Sequence, residues 1–364
     1  MLSEYRIIPN VCKIAVLRAN GLGDFIFALP ALQALRNAYP QAEIVLLAND
    51  WHAAFLKDRP GPINRVIVIP PVKGVGVDPD DSHSIEDPAE QGRFFANMRC
   101  EHFDLAIQMH GGGRHSNPFL LRLGACMTIG LKTPDAAPLD RWVPYVYFQP
   151  EIVRYLEVVA LVDATAVTLE PHIALLEKDL AEAQSIVPDK GKPLVALHPG
   201  ASDPGRRWPA KKFAAVGDAL AAAGTHIVVT GTKAESHLVE AVIGNMKAEA
   251  QNLCGRLSLG GLAGLLSRCT VLISNDSGPL HLAAAVGTAT VGIFWCVNQI
   301  TAGMLTRTRH RPVISWRLEC PICGSNQIVE PCRHCASYVA DVPVEEVAGA
   351  AVELLSMANG LTVG

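Results

Sequence analysis

The sequence predicts an α/β protein of two domains, each built around a parallel sheet. Short apolar runs rich in β-branched residues alternate with segments of helical periodicity along most of the chain. The pattern of strand, glycine turn, helix and strand at 13–48 begins again at 194–230. A chain of 364 residues can bury two hydrophobic cores, and 49% apolar with 18% charged residues is typical of a globular protein.

Composition excludes several classes of function. The net charge of −4 argues against a general nucleic-acid-binding protein. The first 150 residues are nearly balanced in charge and have no gross basic excess toward anionic membranes. Residues 1–12 lack the apolar core of a signal peptide, and the run 281–297 is too short and too polar to span a bilayer. We therefore expect a cytoplasmic protein whose ten cysteines are mostly reduced thiols.

The first βαβ unit places an acidic residue beside a glycine turn. We predict a strand at 13–19, a turn at 20–24, a helix at 26–39 and a strand at 43–48. The dinucleotide fingerprint GxGxxG is incomplete, because Asp24 directly follows the second glycine. Asp24 lies at the carboxyl end of a strand, where open α/β sheets bind ligands. It is either a general base or an Asx-type helix cap.

An acidic loop is predicted at 70–92, after a strand at 65–69. Its acidic residues are Asp78, Asp80, Asp81, Glu86, Asp87 and Glu90. Such a segment is either a solvated surface loop or a lid over the second substrate.

A glycine-rich turn at 110–115 follows a buried strand at 104–109. A turn in this position lies on the ligand side of a doubly wound sheet. Arg114 and His115 either contact a charged acceptor there or are the exposed tips of a plain turn.

The second half repeats the alternation of strands and helices. The domain junction is expected between 165 and 190, after a helix at 151–163. Strands are predicted at 194–198, 226–230, 252–254, 271–274 and 290–295. Helices are predicted at 209–224, 234–246, 259–267, 279–286 and 342–358.

The most specific motif is the switch from the strand at 271–274 into the next helix. Ser277 or Gly278 suits the N-cap, and Pro279 suits the first helical position. The free amides of this helix start, beside Asp276 and His281, form a corner that can bind an anion. An ordinary capped helix is the alternative.

The run from Asp276, DSGPLHLAAA, resembles the donor-site signature of glycosyltransferase family 9, the family of the ADP-heptose:lipopolysaccharide heptosyltransferases. The resemblance extends to Gly23 and Asp24, to the segment 198–208 and to the C-terminal helix, in the family's order. It therefore covers most of the chain.

This resemblance implies a GT-B-like fold, two Rossmann-like doubly wound domains facing across a cleft. It implies an acceptor domain at 1–175, a nucleotide-sugar donor domain at 176–340 and a closing C-terminal helix at 341–364. In the family, the residue at the position of Asp24 is the proposed catalytic base. Phe27 stands where the family often has a polar residue, which affects the expected acceptor contacts rather than the base.

The resemblance also implies a donor site in the second domain. The loop HPGASDPGRRW matches the family's phosphate loop, with Gly200 and Ser202, and with Arg206 where the heptosyltransferases have Lys. Arginine keeps the charge and adds a planar fork suited to phosphate oxygens, and Arg207 is a second candidate. The remaining donor candidates are Asp276 for sugar or ribose hydroxyls, Ser277 and Gly278 for the diphosphate, His281 for the diphosphate or for bracing, and Glu235 as a loose match near the sugar.

The implied activity is inverting transfer of a sugar, heptose from ADP-heptose, to a hydroxyl of a glycan or lipopolysaccharide-core acceptor. Since no DxD motif is evident, catalysis is expected to need no metal or other cofactor. The expected partners are the nucleotide sugar and a glycan or glycolipid acceptor, with peripheral contact to the inner membrane and no nucleic acid.

Three other functions remain open from the sequence. The first is a family member with another nucleotide sugar or a non-lipopolysaccharide acceptor. The second is a nicotinamide-dependent oxidoreductase, for which Asp50 is a poor ribose-binding residue. The third is a non-catalytic sugar-nucleotide sensor.

Four cysteines near the C-terminus form a separate motif. Cys320, Cys323, Cys332 and Cys335 are spaced as CxxC–x8–CxxC, which is typical of structural zinc. Reduced surface thiols are the alternative. In either case they lie outside the expected chemistry.

Overall fold

The computed structural model describes residues 7–77, 86–358 and 360. It divides the chain into two compact units, Met1–Ala174 and Leu175–Gly364. Each unit has its own six-stranded parallel sheet, with helices between most successive strands.

The first unit alternates strands and helices from residue 13 onward. Its described elements are β1 (Lys13–Leu17), α1 (Leu22–Ala38), β2 (Glu43–Ala48), α2 (Asp50–Leu56), β3 (Arg65–Val68), β4 (Val72–Lys73), β5 (Gly76–Val77), α3 (Pro88–Cys100), β6 (Leu105–Gln108), α4 (Ser116–Leu121), β7 (Met127–Lys132), β8 (Arg141–Pro144) and α5 (Glu151–Ala160). The strand order is β3-β2-β1-β6-β7-β8, and β4 pairs separately with β5. All six strands are parallel, but β2 and β3 lie on one side of β1 whereas β6, β7 and β8 lie on the other. Ligands are expected at the carboxyl ends of β1 and β6, where the strand order changes direction.

The second unit repeats this topology. Its elements are α6 (Glu177–Ile186), β9 (Leu194–His198), α7 (Ala210–Ala222), β10 (His226–Val229), α8 (Ser236–Asn245), β11 (Gln251–Asn252), α9 (Leu259–Arg268), β12 (Val271–Asn275), α10 (Gly278–Ala285), β13 (Ala289–Trp295), α11 (Cys296–Ala302), β14 (His310–Ser315) and α12 (Val344–Ala358). Short 3-10 turns occupy Pro204–Arg206 and Lys233–Glu235. The strand order β11-β10-β9-β12-β13-β14 puts the reversal between β9 and β12.

The central strands are apolar because helices cover both faces of each sheet. Every residue of β9 and β12 is buried, including the polar residues at their carboxyl ends. Burying one Val, Leu or Ile side chain contributes about 1.5–3 kcal/mol, so these strands hold the loops that follow them in fixed positions. Gly224 and Gly287 end α7 and α10 at φ values of 87°, a conformation that glycine adopts without strain.

The predicted fold class is confirmed, and several predicted boundaries shift. The strands predicted at 43–48 and 194–198 match β2 and β9. The turn after β1 is shorter than predicted, since α1 begins at Leu22 and places Asp24 in its first turn.

The predicted loop at 70–92 is wrong for 72–73 and 76–77, which form the paired strands β4 and β5, and for 88–92, where α3 has begun. Pro88 occupies the start of that helix, and the Asp87 side chain accepts a hydrogen bond from the Ala89 amide at 2.8 Å. Asp78, Asp80 and Asp81 lie outside the described residues, so the lid stays a prediction. Over the described residues, no helix combines the length and apolar composition needed to cross a membrane.

Replacing Gly264 by Ala should destabilise the second unit. Gly264 lies in α9, and an added Cβ would overlap the backbone carbonyl of Asp179 in α6. Backbone cannot move aside cheaply, so we expect a loss of about 1–3 kcal/mol, measured by thermal unfolding. Gly244→Ala is the control, because Gly244 lies in α8 with open space around it. That change should stabilise by about 0.5–1 kcal/mol, and equal effects of the two substitutions would contradict the packing argument.

Candidate active site

A cavity of about 490 Å³ lies at the carboxyl ends of β1 and β2 in the first unit. Its lining residues come from the segments that follow β1, β2 and β6 and from the β4–β5 pair after β3: Ala19, Asn20, Gly21, Asp24, Asn49, Trp51, Gly74, Gly76, Val77 and His110. Asn49 donates from Nδ2 to the Ala19 carbonyl at 2.9 Å, which ties two of these loops together. The cavity therefore occupies the position that the strand order predicts for a ligand.

Asp24 is both a helix cap and an accessible carboxylate. Its Oδ2 accepts a hydrogen bond from the Gly21 amide at 3.1 Å, as the acidic member of a capping box. Its Oδ1 lies 3.1 Å from Nη2 of Arg18, and 40% of the side chain is exposed. The two interpretations of Asp24 are therefore compatible.

Arg18 is a buried cation that holds the Asp24 turn in place. It donates to the Asp24 carbonyl at 2.9 Å, to the Met109 carbonyl at 2.8 Å and to Oε2 of Glu151 at 2.9 Å. Burial opposes the charge of Arg18, but Tyr155, Glu151 and Asp24 raise its pKa, so it stays charged. Sequence analysis missed this residue, although an arginine directly after the apolar run KIAVL was a signal for it.

His110 is a neutral polar group in the same cavity. Burial and the charge of Arg18 lower the pKa of His110 to about 3. Its Nδ1 accepts a hydrogen bond from the Ala19 amide at 3.3 Å, so the neutral ring carries its proton on Nε2. The sequence indicated the glycine-rich turn but not this histidine.

The residues expected to bind the acceptor do not line this cavity. Arg114 is an exposed side chain 3.8 Å from Asp135. His115 is exposed and packs against Gly74, where an added Cβ would overlap its ring. Phe27 is 7% exposed, in the buried part of α1. A role of Arg114 and His115 in acceptor binding stays a prediction.

The second unit brings Ser202, Arg206 and Asp276 together at the carboxyl ends of β9 and β12. Arg206 donates from Nη2 to Oγ of Ser202 at 2.8 Å and from Nη1 to Oδ2 of Asp276 at 2.9 Å. Its side chain keeps 22% exposure. Because both terminal nitrogens of its guanidinium are hydrogen-bonded, Arg206 is held in one orientation and is preorganised to bind an anion.

Asp276 has partners for both of its oxygens. Oδ1 lies 3.1 Å from Nε2 of His281, and the side chain is only 4% exposed. Burial would raise the pKa of Asp276, but the hydrogen bond with His281 and the charge of Arg206 lower it below the usual value. This geometry favours Asp276 and His281 as a brace for Arg206, whereas binding of sugar hydroxyls by Asp276 stays a prediction.

Asn275 joins the same two loops and was not singled out from the sequence. Its Oδ1 accepts from the Trp208 amide at 3.0 Å, and its Nδ2 donates to the Pro199 carbonyl at 2.8 Å. Trp208 in turn donates from Nε1 to the Val342 carbonyl at 3.1 Å. The only sequence signal for this link is an Asn directly after the apolar run 271–274.

Gly200 and Glu235 are predicted donor residues that lie against each other. A Cβ at Gly200 would overlap Oε1 of Glu235, so a larger residue at this position would displace the Glu235 carboxylate. Burial would raise the pKa of Glu235, but hydrogen bonds from Thr232 and the proximity of His198 lower it. Glu235 thus caps the turn after β10, and its match to an acidic donor residue stays a prediction.

Ser277 occupies the N-cap of α10 by its backbone conformation. Its side chain makes no cap hydrogen bond, and its Oγ lies 3.0 Å from Oγ of Ser274 instead. Pro279, in the first turn, has no amide hydrogen, and the Leu280 and His281 amides donate to the Ser277 carbonyl at 3.1 and 3.4 Å. The helix start therefore offers the Gly278 amide as a donor beside Asp276.

Cysteine side chains gather in the segment before α12. The ligand atoms of Cys320, Cys323, Cys332 and His334 all lie within 4.8 Å of one another, a group that could hold a metal ion. The fourth member is His334, whereas the sequence motif predicts Cys335. The chain turns so that His334 points toward the sulfurs, and Cys335 is exposed.

The two Rossmann-like units, a carboxylate cavity in the first and an arginine loop in the second have the architecture of the GT-B glycosyltransferases. The chain belongs to glycosyltransferase family 9 (heptosyltransferase), whose family model matches residues 91–334. It is therefore a glycosyltransferase, and the oxidoreductase alternative is not supported.

Individual heptosyltransferases and solved structures of this family are also similar to the chain. The chain is similar to lipooligosaccharide heptosyltransferase 2 of Haemophilus ducreyi, with 23% identity over 75% of this chain and 80% of that protein. Among solved structures, glycosyl transferase family 9 from Veillonella parvula has a TM-score of 0.79 at 21% identity, covering 97% of this chain and 99% of that one. The E. coli ADP-heptose lps heptosyltransferase II has a TM-score of 0.72 at 18% identity, covering 96% and 99%. These structures share the fold.

Asp276→Asn should remove a stabilisation that depends on pH. Because the folded-state pKa of Asp276 is below its ordinary value, the carboxylate stabilises the fold above that value. The stabilisation is lost as the pH falls through the folded-state pKa. We expect the variant to be less stable than wild type by about 1.5–3 kcal/mol at neutral pH, and the difference to shrink on acidification. Thermal unfolding over a pH series measures it.

Asp203→Asn is the matched control for this comparison. Asp203 is an exposed neighbour of the same arginine, 3.9 Å from Nε of Arg206. Its replacement should change the stability by less than about 0.5 kcal/mol at every pH. A difference between wild type and Asp276→Asn that stays constant down to the acid limit would contradict the ion-pair argument.

Proposed function

We propose that this glycosyltransferase transfers heptose from ADP-heptose, with inversion, to a hydroxyl of a lipopolysaccharide-core or related glycan acceptor. The observation that carries the proposal is the Asp24 carboxylate, which is 40% exposed in the cavity at the end of β1. The names of its relatives support the donor and the acceptor, since the similar proteins are lipooligosaccharide and lipopolysaccharide heptosyltransferases. A family member using another nucleotide sugar or acceptor is the alternative.

Asp24 acts in this proposal as the general base. It takes the proton of the attacking acceptor hydroxyl, a role that typically contributes about 10²–10⁴-fold in rate. Arg18 orients the carboxylate by binding both its side chain and its backbone carbonyl. The neutral His110 adds a polar group to the acceptor side of the cavity without competing for the proton.

The second unit binds the departing diphosphate. Arg206 supplies a planar cation, Ser202 a hydroxyl, and the Gly278 amide at the start of α10 a further donor. Asp276 and His281 position Arg206, and Gly200 with Glu235 shapes the neighbouring turn. Because these groups neutralise charge on the leaving group, the proposed chemistry uses no metal ion at the phosphates.

The proposed acceptor side lies in the first unit, after β6. Arg114 and His115 follow β6 and are exposed, so they are available to a charged glycan or glycolipid. A glycolipid acceptor requires a cytoplasmic enzyme that works in peripheral contact with the inner membrane.

Asp24→Asn should abolish transfer and spare donor binding. The base serves the acceptor, so the rate should fall by about 10²–10⁴-fold, while the dissociation constant for ADP, measured by calorimetry, stays nearly unchanged. Transfer is assayed from ADP-heptose to a truncated lipopolysaccharide core, with UDP- and GDP-sugars in parallel. Asp163→Asn, an exposed change outside the cavity, is the control.

Two results would contradict this proposal. Retention of more than about a third of the activity by Asp24→Asn would exclude Asp24 as the base. Transfer from a UDP- or GDP-sugar but not from ADP-heptose would leave the enzyme class intact and replace the donor.

Arg206→Ala should weaken ADP binding more than Arg207→Ala. Arg206 has its guanidinium at Ser202 and Asp276, whereas Arg207 uses Nε on the Ala201 carbonyl at 2.9 Å. A charge-assisted phosphate contact is worth about 1.5–3 kcal/mol, roughly a 10- to 100-fold change in the dissociation constant. Calorimetry with ADP measures both variants, and Arg206→Lys should recover part of the loss. Equal losses from the two alanine variants would show that the assignment within the arginine pair is wrong.

A further inference from the structure

We propose that Cys320, Cys323, Cys332 and His334 bind one tetrahedral zinc or iron ion, and that this ion positions the loop carrying Arg206. The ligands and the loop all lie in the second unit. Metal binding is independent of the proposed function, whereas its effect on the donor diphosphate rests on that function.

The four ligand atoms are close enough together to bind one ion. They lie within 4.8 Å of one another, and Sγ of Cys320 is 3.7 Å from Nδ1 of His334. Metal–sulfur bonds of about 2.3 Å and metal–nitrogen bonds of about 2.0–2.1 Å place tetrahedral ligands roughly 3.6–3.8 Å apart. Only small side-chain movements are needed to close the site. Three thiolates and one imidazole suit both zinc and iron.

The turn that carries the first two cysteines is shaped to present both sulfurs to one ion. The Ile322 amide donates to Sγ of Cys320 at 3.5 Å, and the Gly324 amide donates to the Cys320 carbonyl at 2.9 Å. Gly324 has a φ of 73°, which lets the chain turn back directly after Cys323. A backbone amide aimed at a ligand sulfur stabilises the thiolate that a metal requires.

The third cysteine has a polar partner of the same kind. Gln327 donates from Nε2 to Sγ of Cys332 at 3.3 Å. Hydrogen bonds from neighbouring groups orient metal ligands in this way, and this contact is expected of a metal site rather than of reduced surface thiols.

The segment around the cluster lacks an apolar core of its own. Between β14 and α12 the described residues form turns and isolated bridges but no helix or strand. Two of its large apolar side chains face solvent, since Ile322 is 65% and Val329 is 82% exposed. A segment that buries so little apolar surface needs a cross-link to hold one conformation, and a metal ion supplies it.

Hydrogen bonds connect the cluster to the Arg206 loop. Oε1 of Gln327 accepts from the Tyr338 hydroxyl at 3.3 Å, and the Tyr338 amide donates to the Gly205 carbonyl at 2.7 Å. Oγ of Ser337 donates to the Arg207 carbonyl at 2.7 Å. Gly205 and Arg207, the neighbours of Arg206, therefore accept hydrogen bonds from the segment that follows the cluster.

The packing at Gly205 makes this connection tight. The ring of Tyr338 lies where a side chain at Gly205 would be, so an added Cβ would overlap it. The same ring packs against Trp295, at the end of β13, with 4.8 Å between the ring centroids and an angle of 33° between the ring planes. Loss of the ion frees the segment before Tyr338, which makes the 3-10 turn at Pro204–Arg206 less rigid. Binding of the diphosphate by Arg206 is then weaker.

The first test is the metal content of the full-length protein, purified under reducing conditions. Elemental analysis should find about one zinc or iron ion per chain. Cys332→Ser and His334→Ala should lose it, and Cys335→Ser, the matched control beside His334, should retain it. Cobalt added to metal-free protein should give the absorption of a tetrahedral cobalt thiolate, absent in Cys332→Ser. Metal-free wild type that takes up no cobalt would overturn the site, and loss of metal by Cys335→Ser but not by His334→Ala would overturn its ligand set.

The second test measures ADP binding by calorimetry in loaded, chelator-treated and reloaded protein, with circular dichroism alongside. Removal of the ion should weaken ADP binding about five- to tenfold, the effect of losing one or two hydrogen bonds, and reloading should restore it. Gln327→Ala should keep the metal and still weaken ADP binding, which separates positioning from unfolding.

The outcomes of the two tests distinguish the proposals. Unchanged ADP affinity in metal-free protein, or in Gln327→Ala, would overturn the positioning role. A full metal content with no ADP binding by the wild type would overturn the proposed donor and leave the metal site standing.

Discussion

The ion pair between the buried Asp276 and the partly exposed Arg206 is the interaction on which the second unit's site depends. The two residues are 70 positions apart in the chain, and each follows a different strand of the sheet. An unpaired carboxylate at this depth would be costly, so the pair fixes the loop after β9 against the turn after β12. Asn275 makes a parallel connection with two neutral hydrogen bonds, to Trp208 and Pro199. Asn275 and Asp276, which directly precede the N-cap Ser277, are both bonded to the loop after β9. These bonds fix the orientation in which helix α10 starts.

The two units use the same strand order for opposite electrostatic purposes. In the first unit a buried cation, Arg18, supports an accessible carboxylate. In the second unit a buried carboxylate, Asp276, supports a partly accessible cation. In each case the inner charge orients the outer one, and the outer one faces the carboxyl ends of the strands. One topology thus presents an accessible carboxylate in one unit and a partly accessible guanidinium in the other.

Local sequence was enough to predict the fold class, because alternating apolar strands and capped helices are properties of neighbouring residues. The start of α1 was misplaced since Asp24 caps its own helix by reaching back to Gly21, which shortens the turn. Arg18, Asn275 and His110 were missed because their roles arise from partners up to 133 residues away, such as Glu151 for Arg18. The fourth cluster ligand was assigned to Cys335 because cysteine spacing favours a repeated CxxC. The fold of the segment presents the neighbouring His334 instead.

The attachment of the C-terminal segment bears on how enzymes of this family can be recombined. Val342 accepts hydrogen bonds from Nε1 of Trp208 and from Nζ of Lys212, and Ala340 accepts a second bond from Lys212. Trp208 also carries the amide that Asn275 holds. A chimera joined just before α12 would cut through this contact and mismatch the start of α7. The final helix therefore belongs to the same exchangeable module as the loop that carries Arg206, and a functional crossover point must leave both on one side of the junction.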